Sequence, residues 1–163
     1  MTLMLSAAGC VLLFMGIWGA TVTLPTALLA KNFPEDVQQR LRPRLESLPM
    51  SPKRALGWII LVLFIAGYLA LFVVGGIDGL KRGFTFGQLF LRFFTIGAVI
   101  KVFDIVALDW FLLTKTHFFQ HYFPETEGCA GWQDFGYNRK QQLRQCAVIV
   151  IGSAVAAWVF TLL

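Results

Sequence analysis

The stretch Phe84–Tyr122, FTFGQLFLRFFTIGAVIKVFDIVALDWFLLTKTHFFQHY, decides how the rest of the chain is read. It is a long apolar run holding four ionisable residues, Arg92, Lys101, Asp104 and Asp109, and it continues into a polar end with His117 and His121. A helix rises about 1.5 Å per residue and the bilayer hydrocarbon is about 30 Å thick, so about 20 such residues cross it. A charge inside a span is costly and marks a structural or functional role. Two registers are open. A start at Phe84 buries Arg92 and leaves Asp104 near the inner edge. A start near Phe90 lets Arg92 snorkel to the outer interface and places Lys101 and Asp104 near mid-membrane. The second buries one charge fewer and is the predicted one, with a span over about 90–114 and Lys115 at its far end.

Outward from this segment lie three more apolar runs, over about 3–24, 55–74 and 145–163. Hydrophobic residues make up 57% of the 163 residues and charged residues 14%, against about 45–50% and about 25% in soluble domains. The predicted fold is all-α: an integral membrane bundle of four transmembrane helices forming a single domain over 1–163. Pro25 kinks or ends the first span, and Thr21, Thr23 and Thr26 are placed to satisfy the carbonyls it frees. Ser51-Pro52 reads as the cap and first position of the second helix. GGIDGLKRG, Gly75–Gly83, reads as a tight turn. Small residues four apart, Gly16/Ala20, Gly152/Ala156 and Ser153/Ala157, predict close helix packing.

The first and third connections, about 31–54 and 115–144, carry six and four Lys/Arg residues, whereas the middle turn carries Lys81 and Arg82. The positive-inside bias makes the two large loops cytoplasmic and puts both termini outside, in a multi-pass protein of the plasma (inner) membrane. In the first loop Val37, Leu41, Leu45 and Leu48 recur at helical spacing, interrupted by Pro43. A short interfacial helix is expected there, with its basic residues near anionic lipid headgroups. The formal charge of +5 does not indicate nucleic acid, because most of the surface faces lipid.

Cys10, Cys129 and Cys146 are far apart, which excludes a C-x-x-C redox pair and a cysteine-only zinc site. Lys31 is the first basic residue, so the N-terminus is a poor secretory leader, and Ala7–Cys10 lacks the basic region a lipoprotein signal needs.

With about 100° per residue, Asp104 falls about 60° to one side of Lys101 and Asp109 about 80° to the other. Lys101 thus stands between two carboxylates on one polar arc, and it reaches Asp104 directly at a spacing of three. An aspartate beside an ammonium keeps its charge where a lone one would take up a proton. Either the pair fixes packing, or it lines a polar cavity, open to the cytoplasmic side, for a cationic, zwitterionic or protonatable ligand. The candidate binding residues are Lys101, Asp104, Asp109, Trp110, Asn138 and Arg139.

His117 and His121, at H-x-x-x-H spacing, share a helical face and are weak metal candidates; solvated interfacial imidazoles are the simpler reading, and no metal or other cofactor is expected. Trp110, Phe118, Phe119, Tyr122, Phe123, Trp132, Phe135 and Tyr137 read as an interfacial aromatic belt. Gly128, Gly131 and Gly136, followed by Asn138-Arg139-Lys140, have the makings of an anion-binding loop for a lipid headgroup or a docking surface for a protein, without P-loop or dinucleotide spacing. The expected function is a binding, transport or accessory subunit, as a homo-oligomer or beside a larger membrane partner. The alternative is a membrane enzyme acting on a lipid or isoprenoid, with Asp109, His117, His121 and Glu125 as acid–base groups.

Overall fold

The structure, a computed structural model, describes residues 1–23, 29–46 and 52–163. It is all-helical, with no strand among the described residues. The elements are α1 (Thr2–Thr23), α2 (Glu35–Glu46), α3 (Pro52–Lys81), α4 (Phe86–Phe103), a π-helix (Asp104–Leu113), α5 (Phe118–Tyr122), two 3-10 turns (Pro124–Thr126 and Ala130–Gln133) and α6 (Arg139–Thr161). The expectations placed on Pro25, Thr26, Leu48, the Leu45 side chain and the Ser51 cap lie outside the described residues.

Three helical stretches, Thr2–Thr23, Leu56–Lys81 and Arg139–Thr161, are long and apolar enough to cross a membrane. At 22, 26 and 23 residues they measure about 33–39 Å, more than the hydrocarbon thickness. Hydroxyls inside α1 are satisfied locally. Thr21 Oγ1 donates to the Ile17 carbonyl at 2.8 Å and Thr23 Oγ1 to that of Gly19 at 2.6 Å, the back-bonding open to Ser and Thr in a helix.

Two boundaries differ from the sequence expectation. The second apolar helix does not stop at Val74: α3 runs through Gly75–Lys81, so this glycine stretch is helix rather than turn. Its glycines serve close approach. A Cβ on Gly76 would lie 2.3 Å from the Phe160 ring, and one on Gly79 would lie 2.5 Å from Leu89. The turn is confined to the residues after Lys81. Gly83 has φ +67°, Phe84 N–H donates to the Gly79 carbonyl at 3.0 Å and Gly83 N–H to that of Leu80 at 2.9 Å. These two bonds are the left-handed C-terminal cap that favours glycine. At the start of α4, Gln88 Oε1 accepts the Thr85 backbone N–H at 2.9 Å, half of a capping box. The second difference is winding. From Asp104 to Leu113 the backbone is π-helical, so the 100° step does not carry the polar arc from Lys101 to Asp109. Ten residues is long for a conformation that usually occurs as a single-turn bulge, often at functional sites.

The chain divides into two compact units. One comprises Met1–Leu13, Phe64–Asp104 and Lys140–Leu163. Its core joins Leu5, Leu71, Ile96 and Ile100 in one cluster and Leu89, Phe93 and Ala157 in another. Arg92 belongs to this interior. It is only 6% exposed; Nη1 donates to Asp78 Oδ2 at 2.7 Å and to the Gly75 carbonyl at 2.8 Å, and its guanidinium lies 4.4 Å from the Phe84 ring centroid. Arg92 is thus met by an internal carboxylate, a backbone carbonyl and an aromatic face.

The other unit comprises Phe14–Leu63 and Ile105–Arg139. Phe33 is its hub, with ring centroids of Phe119, Phe123 and Trp132 at 5.2, 5.7 and 5.0 Å. Val37 and Leu41 of α2 are fully buried in the same cluster. The apolar face of α2 is thus covered by protein, which leaves no such face at these residues for the headgroup plane. Phe119, Phe123 and Trp132 are core residues rather than members of a belt, whereas Trp110 and Phe135 are exposed. Trp132 Nε1 donates to the Thr126 carbonyl at 3.2 Å and to its hydroxyl at 3.1 Å, meeting the need of a buried indole for an acceptor.

Candidate functional site

Lys101 sits in the last turn of α4 and its side chain is 9% exposed. Nζ donates to Asp104 Oδ2 at 2.7 Å and also to Gln145 Oε1 on α6. An ammonium carries three donors, and the third has no protein acceptor among the described residues. Asp104 likewise keeps Oδ1 without a protein donor among the described residues. The pair thus retains one donor and one acceptor in a largely apolar setting.

Both residues line a cavity of about 390 Å³, within the 300–1,000 Å³ range of ligand pockets. Lys101, Asp104 and Gln145 are its polar members; Leu13, Tyr68, Phe72, Gly97, Ile100, Val148 and Ile149 complete its lining. The Tyr68 hydroxyl donates to the Gly9 carbonyl at 3.1 Å, so its proton is used while its oxygen can still accept. Gly97 brings α4 close to α6, since a Cβ there would lie 2.7 Å from Ile149. All these residues belong to one compact unit.

The remaining sequence candidates are placed elsewhere. Asn138 Nδ2 donates to Asp109 Oδ2 at 3.0 Å, so these two meet each other, within the second unit. Trp110 is exposed, with Lys115 Nζ 6.0 Å from its ring centroid. Arg139 is exposed at the first position of α6. His117 occupies the N-cap position of the short α5 and His121 its last turn, and both are exposed. Glu125 lies in the 3-10 turn Pro124–Thr126. Among the described residues no group of three His, Cys, Asp or Glu is positioned to hold a metal ion. In the glycine-rich loop, the Gly131 N–H that would serve an anion donates to Asp36 Oδ2 at 2.9 Å, while Asp36 Oδ1 accepts the Val37 N–H at 2.8 Å. An internal carboxylate occupies that donor. Burial pushes the nearby Cys129 thiol above its ordinary value of 9.0; Asp36 adds to the rise and Arg40 partly offsets it.

Gln145, Tyr68 and Gly97 were not legible as site residues. Gln145 opens a predicted apolar run, where a lone amide is a usable signal. Nothing marked Tyr68 or Gly97 beyond their type. The Arg92–Asp78 contact is hidden in the sequence because Gly75–Gly83 reads as a turn.

Comparisons with protein-family models, with curated proteins and with solved structures found no match to this chain.

Proposed function

We propose that this chain is a small polytopic plasma-membrane protein that binds a ligand beside Lys101, Asp104 and Gln145, as a binding, transport or accessory subunit. In this reading the segment over about 90–114 is a fourth crossing, both termini lie outside, and the basic loops are cytoplasmic by the positive-inside bias. The supporting observation is the buried Lys101–Asp104 pair on the wall of a cavity of about 390 Å³, with a donor and an acceptor still unused. A pair serving packing alone is best enclosed with its capacity filled. The acid–base alternative draws no comparable support, because His117 and His121 are both exposed and Asp109 is engaged by Asn138.

The test is a thermal-unfolding screen of the purified protein in mild detergent, run in parallel with the double variant K101M/D104L. A ligand at 100 times its Kd stabilises by about 2.7 kcal/mol. Stabilisation of the wild type by some compounds and not of the variant is expected. Equal responses of the two proteins to every compound, or none in either, would refute the site.

A further inference from the structure

We infer that the ligand is an electroneutral, single-chain amphiphile that enters sideways from the hydrocarbon; this rests on the binding site proposed above. Three observations carry it.

The first is charge. The cavity's charged lining is Lys101 and Asp104, one cation and one anion already paired at 2.7 Å. A ligand of either net charge would find no free counter-ion, and an uncompensated charge brought out of water is penalised heavily. The pair does offer one free ammonium donor and one free carboxylate oxygen. A head that is neutral, and both accepts and donates a hydrogen bond, satisfies both at once.

The second is the wall. Apart from that polar corner, the lining is aliphatic and aromatic, with Phe72, Ile100 and Ile149 among its members. Such a surface takes an apolar tail, and a cavity of about 390 Å³ has room for a single chain segment.

The third is the mouth. Val148 lines the cavity yet is 67% exposed, and it lies on α6, one of the three helices apolar enough to cross a membrane. In the membrane placement proposed above, that exposed aliphatic wall meets hydrocarbon, which offers a chain a lateral way in.

The experiment uses the full chain in phosphatidylcholine vesicles with a monoacylglycerol bearing a diazirine on its acyl chain. After irradiation, adducts are mapped by mass spectrometry. Adducts are expected on the stretches around Gly97–Lys101 and Gln145–Ile149. They should be displaced by unlabelled monoacylglycerol at concentrations at least tenfold lower than an alkyltrimethylammonium or an alkyl sulfate of equal chain length requires. Free glycerol should not displace them. V148W, which places a bulky side chain at the mouth from a lipid-exposed position, should reduce labelling at least fivefold with unchanged thermal unfolding; the head-group competition on wild type stands without that variant. Displacement best by the cation or the anion overturns the electroneutral head while leaving the binding site in place. Absence of adducts on both stretches, with stabilisation of wild type by water-soluble polar compounds that K101M/D104L lacks, overturns the lateral amphiphile alone. Absence of adducts together with no variant-dependent stabilisation overturns both.

Discussion

Removing the Asp104 carboxylate should expose the energetics of the buried pair directly. The Lys101 side chain is 9% exposed and that of Asp104 22%, so D104L leaves an ammonium nearly enclosed with Gln145 as its remaining acceptor. Breaking a buried pair from one side costs about 3–5 kcal/mol. The partial exposure of Asp104 and the surviving amide contact put this case near about 3 kcal/mol on that scale. K101M should cost less, because it strands the less enclosed partner, whose side chain is 22% exposed against 9% for Lys101. K101M/D104L replaces both charges with apolar groups of similar length, which is often neutral or stabilising by about 1–4 kcal/mol. The double variant should thus unfold at or above the wild-type temperature, and the coupling between the two sites should be about 3 kcal/mol or more in magnitude, as contacting charged residues allow. The assay is reversible unfolding in bicelles for all four proteins, with ligand-dependent stabilisation measured on the same samples. Single variants within about 0.5 kcal/mol of wild type, with additive effects, would fall in the range of independent sites and refute the pairing. A double variant that keeps ligand stabilisation would refute the functional role of the pair while leaving its structural one.

Further outcomes follow from particular contacts. G76A places a methyl 2.3 Å from the Phe160 ring and should cost about 1–3 kcal/mol by overpacking; adding F160L should recover most of it in the same unfolding assay, and no recovery would mean that α3 and α6 do not meet there. R92M removes a buried guanidinium, whereas R82M removes one whose side chain is 60% exposed; the first should lower the unfolding temperature clearly and the second by at most about 1 kcal/mol equivalent, an order whose reversal would contradict the Arg92–Asp78 contact. D36A frees the Val37 and Gly131 amides and should cost about 1–2 kcal/mol, read as lost hydrogen-exchange protection at Gly131; retained protection would contradict the bond. Cys129, with its thiol held above 9.0, should be mostly protonated at pH 7, so its maleimide labelling, read at that residue by mass spectrometry, should be slow there and accelerate steeply as pH rises through 8 and 9; a plateau below pH 8 would contradict the raised value.

Apolar run length carried the helical class and the three long apolar helices, because hydrophobic content over 20 residues is a bulk property that tertiary contacts do not reverse. The i, i+3 contact of Lys101 and Asp104 was legible for a similar reason: it depends only on local helical spacing. Gly75–Lys81 was misread because glycine serves both turns and close helix contacts, and the partner that decides between them, Phe160 for Gly76, is remote in sequence. The π winding of Asp104–Leu113 escaped because its apolar composition is that of an α-helix; side-chain types do not report the backbone step. Phe119, Phe123 and Trp132 read as belt residues in the sequence because aromatic clusters in loops look alike whether lipid or protein covers them. Gln145 was missed because its partner, Lys101, lies on another helix.

The decisive measurement is an experimental density map of the full chain in a lipid environment, at a resolution that shows side chains, centred on Lys101, Asp104 and Gln145. The expected result is elongated density in the cavity, its polar end within hydrogen-bond distance of Lys101 Nζ and Asp104 Oδ1 and its tail along Phe72 and Ile149. Lys101 and Asp104 separated and facing bulk water, or a cavity closed by side chains, would contradict it.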